Sequence, residues 1–184
     1  MLDARLLPLR NDLARLREMR LDDAHAYAAG AADAQVRTYA HLPEPEYTEA
    51  SVTAMISGEI RDGLRRGDLA VLTIADPDTD AFAGSLVLFG PADGAIEVGF
   101  WVHSAHRGRG RARAAVALAV EFARRCGFER VTARTVPDNH ASRRVLEQAG
   151  FDGGAEERDV APSGREAVVL HYTWDCAAAG PAPR

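Results

Sequence analysis

Residues 95–112 read AIEVGFWVHSAHRGRGRA, and the change of period inside this stretch organises the rest of the chain. The segment AIEVGFWV is a strand in the middle of a sheet, with Ala95, Glu97, Gly99 and Trp101 on one face. One carboxylate therefore stands in an otherwise small or aromatic row. The loop HRGRGRA follows, with glycines at 108 and 110, and apolar residues then recur at helical spacing until Gly127. Strand, glycine loop and helix in this order predict an α/β unit.

The same alternation continues in both directions. Downstream, VTARTV is a strand, DNHASRRVLEQAGF a short helix ending at Gly150, and AEERDV with AVVLHYTW a closing strand pair. Upstream, LAVLTIAD and FAGSLVLFG form a hairpin around the turn-forming PDTD. Thr48 is an expected N-cap, with Tyr47 and Val52 as a hydrophobic staple, for a helix reaching about Arg66 and ending at Gly67. Before it lie a polar, proline-broken loop (RTYAHLPEPEY), a short helix from Arg20 to Gly30, and a first edge strand over residues 4–10. The expected organisation is one domain over residues 1–175 and a mobile tail over 176–184.

Composition narrows the function classes. A chain of 184 residues with 47% hydrophobic and 27% charged residues is that of a folded globular domain. Its longest apolar run, Ala114 to Val120, falls far short of the ~20 residues that span a bilayer. The start, MLDARLLPLR, lacks a secretory pattern, which places the protein in the cytoplasm as an expectation. Only Cys126 and Cys176 are present, so neither a disulfide framework nor a cysteine-rich zinc site is supported. His103 and His106 form an H-x-x-H pair without a further convincing ligand, and no metal is expected. A net charge of -5 disfavours non-specific nucleic-acid binding, and no aromatic residues interleave with the basic run Arg107, Arg109, Arg111 and Arg113.

That basic run fits a diphosphate better. Glycines let the backbone approach an anion closely, while unpaired amides and the helix dipole attract it. Two familiar phosphate loops fail: a dinucleotide fingerprint would need glycine where Arg113 stands, and a P-loop needs lysine, which this chain lacks.

Arg107-Gly108-Arg109-Gly110-Arg111-Ala112 matches the R/Q-x-x-G-x-G/A signature of the GNAT acetyltransferase superfamily. It follows I-E-V-G-F-W, and some thirty residues later Asn139-His140-Ala141-Ser142 opens a helix closing in Leu146-Glu147-Gln148-Ala149-Gly150-Phe151. Together these motifs resemble the RimJ/RimL-type subgroup of ribosomal-protein N-terminal acetyltransferases and their small-molecule-modifying relatives. The resemblance implies a mixed, mostly antiparallel sheet flanked by helices, in which a splayed strand pair forms an acetyl-CoA cleft. It implies that amides from Arg109 to Ala112 hold the pyrophosphate, that Trp101, Val102 and His103 pair through their main chain with pantetheine, and that Asn139 contacts the same arm. Many members carry a tyrosine acid just before the glutamate of the last motif, and here that place is Leu146.

The reaction so implied is acetyl transfer from acetyl-CoA to a primary amine, a protein N-terminus or a small molecule, by direct attack in a ternary complex. It needs a deprotonated amine, a stabilised oxyanion and a released thiolate. An α-amine with a pKa of about 7.7–8.0 requires only modest help. Glu97 is the candidate for proton removal, or alternatively an anchor for a loop or for the substrate's cation. Ser142 is the candidate hydrogen-bond donor to the departing sulfur. Tyr39, His41 and Tyr47 are candidate acceptor-pocket residues, and Glu44, Glu46 or Glu49 could attract the amine. The competing reading is an acyl-CoA sensor that has lost turnover. Monomer and homodimer both fit exposed sheet edges.

Overall fold

A computed structural model of the chain describes residues 1–40, 42–160 and 166–176. Its strands are β1 (Leu9–Arg10), β2 (Arg15–Glu18), β3 (Leu69–Ala75), β4 (Phe82–Ala92), β5 (Ala95–Val102), β6 (Arg130–Thr135), β7 (Asp152–Val160) and β8 (Glu166–Asp175). They form one sheet in the order β1-β2-β3-β4-β5-β6-β8-β7, antiparallel throughout except between β5 and β6. The parallel pairing is short. Ala95, Ile96 and Glu97 register with Arg130, Val131 and Thr132, after which the strands part while β5 runs on to Val102. The expected splay is therefore present, and main-chain groups of β5 beyond Glu97 face a gap instead of a neighbour.

The helices are α1 (Ala24–Ala31), α2 (Ala34–Tyr39), α3 (Glu49–Met55), α4 (Arg61–Arg66), α5 (Arg111–Arg125) and α6 (His140–Gln148). Helix α5 is the crossover that parallel strands require. It buries Val116, Ala119 and Phe122 against Leu86, Leu88, Ile96 and Val131 on one face of the sheet. Each of the large apolar side chains here contributes roughly 1.5–3 kcal/mol by leaving water. On the other face α1 and α3 cover a second cluster that includes Tyr27, Val52, Ile56, Phe82 and Trp101. The alternation of β5 feeds both: Ile96, Val98 and Val102 join the first core, and Trp101 the second.

Thr48 caps its helix as the sequence suggests. Its Oγ1 accepts from Ser51 N at 3.1 Å, Ser51 Oγ accepts from Thr48 N at 3.0 Å, and Tyr47 and Val52 are both buried. The expected single helix is interrupted by a π-helical turn, Ile56–Ile60, between α3 and α4, and it ends at Gly67.

Three other expectations change. Residues 4–10 are not a strand: Ala4–Leu6 form a 3-10 turn capped by Asp3, and only Leu9–Arg10 pair, because Pro8 has no N–H to give a ladder. The loop expected over residues 37–47 begins later, since Arg37 to Tyr39 belong to α2, whose N-cap Asp33 accepts from Gln35 N and Val36 N. Cys176 is buried and donates its N–H to Glu129 O at 2.8 Å, so it belongs to the fold, while residues 177–184 of the expected tail lie outside the described residues.

A buried ion pair fixes the start of α1 to the sheet. Arg17 on β2 donates twice to Asp23, at 2.7 and 2.9 Å, and its Nε donates to Asp80 Oδ1 at 3.0 Å. Thr73 Oγ1 and Arg20 N also donate to Asp23. Both buried carboxylate oxygens of Asp23 thus have partners.

Candidate functional site

The loop after β5 is built to leave amides open. Gly108 and Gly110 have φ of +74° and +73°, a region in which a Cβ is strained, so glycine is what lets the chain turn here before entering α5. The first bond inside α5 is donated by Ala114 to Gly110 O, at 3.0 Å. The amides of Arg111, Ala112 and Arg113 consequently have no helical acceptor and carry the positive end of the dipole. They face an outer cavity of about 880 Å³. Trp101 and Val102 from β5 and Asn139 and Ser142 from the start of α6 complete its wall.

The arginines of this loop hold it in place from the side and do not fill it. Arg107 Nη2 donates to Asp33 Oδ1 at 2.6 Å, its Nη1 to Gln35 Oε1 at 2.8 Å and its Nε to Val102 O at 3.1 Å. Arg111 turns its guanidinium back to Asp76 in the β3–β4 turn. Bonds from the Thr79 amide, Arg111 and the Asp78 amide keep Asp76 well below the usual carboxylate range. Arg109 does not reach the cavity wall. Exposed Arg113 and Arg144 do line it, so they are the cations placed for an anion there. His103 also stands apart from the wall: its N–H donates to Ala83 O at 2.9 Å and its ring accepts from Ala105 N. His106 lines the cavity, and burial together with Arg111, His103 and Arg109 pushes its pKa down, leaving it neutral at pH 7.

An inner cavity of about 440 Å³ lies behind the outer one, beneath α2 and the π turn and above the exposed face of β3, β4 and β5. Tyr39, Ala40, Phe100, Trp101, Asn139 and Ser142 line both, so the two spaces meet at the splay. At this junction Asn139 Oδ1 accepts from Ser142 N at 3.2 Å, while Asn139 Nδ2 donates to Ser142 Oγ at 2.9 Å. The serine oxygen is thereby an acceptor to asparagine, and its own O–H is left to donate elsewhere.

Glu97 also lines the inner cavity, but it is not an isolated carboxyl on an apolar face. Arg134 Nε donates to both of its oxygens, at 3.0 and 3.2 Å, and Arg134 Nη1 donates to Asp159 at 2.8 Å. Two carboxylates share one guanidinium. Glu59, from the π turn, is a second carboxylate on this wall, which the sequence did not single out. Glu44, Glu46 and Glu49 are exposed and line neither cavity, and Glu49 pairs with His25 at 3.1 Å. Tyr39 and Tyr47 do line the inner space, whereas His41 lies outside the described residues. Leu146 is buried, so no phenol occupies that position. Burial pushes the thiols of Cys126 and Cys176 up, and neither lines either of these two cavities.

In the helix α2 wall, Tyr39 is an expected pocket residue, whereas Gln35 and Val36 were not foreseen as part of a site. The one sequence signal for it is Asp33, a cap residue just ahead of AQVRTY.

Comparison with known proteins gives this arrangement its relatives. Residues 14–152 match the family described as acetyltransferase (GNAT) domain. A curated protein, the probable N-acetyltransferase YjcK of Bacillus subtilis, is 32% identical over 97 residues, 50% of this chain and 54% of that protein. The chain thus spans about half the length of the curated relative it matches. Among solved structures, Mycobacterium smegmatis RimJ in complex with a CoA disulfide superposes with a TM-score of 0.76 at 25% identity, covering 92% of this chain and 86% of RimJ. The microcin C7 self-immunity acetyltransferase MccE, solved with acetyl-CoA and AMP, shares the fold with a TM-score of 0.76 at 16% identity, over 90% of this chain and 93% of MccE. With its splayed sheet, its glycine loop and a family match over residues 14–152, the chain belongs to the GNAT acetyltransferase family.

Proposed function

We propose that the protein is an acetyl-CoA-dependent N-acetyltransferase that acylates a primary amine by direct attack. The observation that carries this reading is the meeting of two cavities at Asn139 and Ser142, one walled by open amides and the other by aromatic rings and carboxylates. The outer cavity fits the coenzyme: the amides of Arg111, Ala112 and Arg113 suit a diphosphate, and the open edge of β5 near Trp101 and Val102 suits an amide-containing arm. Acetyl-CoA, when bound, supplies the acetyl group as a thioester.

The chain's own residues then do three things. Ser142, with its oxygen engaged by Asn139, offers a proton toward the sulfur side of the junction, and a thiol with an ordinary pKa of about 8.5 needs no stronger acid than that. Glu97, oriented by Arg134, holds the incoming ammonium group at the inner cavity and so positions it for proton loss to water. The buried aromatic wall of Tyr27 and Trp101 excludes bulk water from the junction. Neither cysteine is placed to serve as an acyl carrier, in keeping with direct transfer.

Incubating the purified protein with acetyl-CoA and primary amines, and following thiol release and product mass, tests the reading. Amine-dependent thiol release with matching acetylated product is expected. Coenzyme binding without release for every amine would instead identify a sensor.

A further inference from the structure

The floor of the inner cavity follows from strand register. Val71, Val87 and Gly99 stand side by side across β3, β4 and β5, flanked by the row of Leu69, Phe89 and Glu97. Gly99 leaves the floor open beside Val87: a Cβ there would lie 3.1 Å from Val87 Cγ1. Several polar groups around this floor are already engaged. Ser85 Oγ donates to Leu72 O, Tyr47 Oη accepts from Glu44 N, Asn139 and Ser142 bond each other, and Arg134 is held by Glu97 and Asp159. The floor itself offers a ligand apolar surface, with the carboxylates of Glu59 and Glu97 on the surrounding wall.

Resting on the transferase reading of this same site, we propose that the acceptor is a primary amine carried on a compact apolar or aromatic body. That body is either a free amine or the N-terminal residue of a peptide with such a side chain. The ammonium group matches the carboxylates, and the apolar body covers Val71, Val87 and Phe89. A polyhydroxylated amine would place hydroxyls against these side chains without partners, and a polyamine would bring a second ammonium to a wall on which Glu97 is already paired with Arg134. Both are disfavoured by desolvation, not by size alone.

The test compares kcat/KM by thiol release for phenethylamine, a Phe-Ala peptide amide, spermidine and an aminoglycoside. One of the first two should exceed the last two by at least about tenfold, and which of the two leads identifies the source of the apolar body. In Val87→Phe, which fills the floor without touching the outer cavity, the favoured acceptor should lose about tenfold or more in kcat/KM while acetyl-CoA affinity is unchanged. Val87→Ala, which deepens the floor, should shift preference toward a naphthyl amine. Equal or better use of spermidine or the aminoglycoside, or indifference of the favoured acceptor to both Val87 variants, would overturn the proposal alone. Absence of thiol release with any amine would overturn the transferase reading beneath it.

Discussion

Arg107 of the glycine loop donates twice to Asp33 of the acceptor side, from Nη2 to Oδ1 at 2.6 Å and from Nη1 to Oδ2 at 3.5 Å. Asp33 Oδ1 also accepts from Gln35 N and Val36 N, so a single carboxylate both caps α2 and ties it to the loop. Helix α2 in turn brings Tyr39 and Ala40 to the junction of the two cavities. Hydrogen bonding from Arg107 keeps Asp33 below the usual carboxylate range, so the tie is intact at neutral pH. Asp33→Ala should therefore destabilise the fold by about 1 kcal/mol through loss of the cap and raise KM for the amine more than it lowers kcat. Thermal melts and steady-state kinetics check the two parts separately.

Ser142→Ala should lower kcat by about tenfold to a hundredfold while leaving coenzyme affinity nearly unchanged, because the hydroxyl acts on the departing sulfur and not on the bound nucleotide. Asn139→Ala removes both the cap and the orientation of that hydroxyl, so it should show the same rate loss together with about 1 kcal/mol of instability. Parallel kinetics and calorimetry on the two variants resolve these effects.

Glu97→Gln keeps the shape of the side chain but removes the charge that faces the amine. As an anchor, Glu97 predicts a raised acceptor KM with the slope of rate against pH preserved. A flattened pH profile would instead make it the base.

Acid stability should depend on Asp23. Burial alone would raise its pKa, but bonds from Arg17, the Arg20 amide and Thr73 outweigh that and lower it. A carboxyl lowered in the folded chain binds fewer protons there than in the unfolded chain, so its stabilisation is full above the ordinary value of about 3.9 and fades as pH falls through the folded value. Asp23→Asn breaks a buried pair, which costs about 3–5 kcal/mol at neutral pH, and should shrink the further loss below about pH 4. Urea melts across that range measure both.

The sheet around β5 was legible because alternation, a glycine loop and a capped helix each carry a local signature. The same holds for Thr48 and Asn139, whose capping depends on neighbours three residues away. What sequence left hidden is what depends on partners far along the chain. Arg107 and Arg111 read as cations waiting for phosphate, yet Asp33 and Asp76 claim them. Glu97 read as a lone acid because Arg134 lies 37 positions away. Glu59 joins the wall through a π-helical turn, which no periodic pattern announces.

The central claim is that the open amides at the start of α5 hold the coenzyme. Calorimetric titration of acetyl-CoA into the wild-type protein and Gly110→Trp, with folding of both followed by thermal melting, tests it most directly. Saturable binding by the wild type and none by a folded variant is the predicted result. Equal affinity in the two would contradict the account.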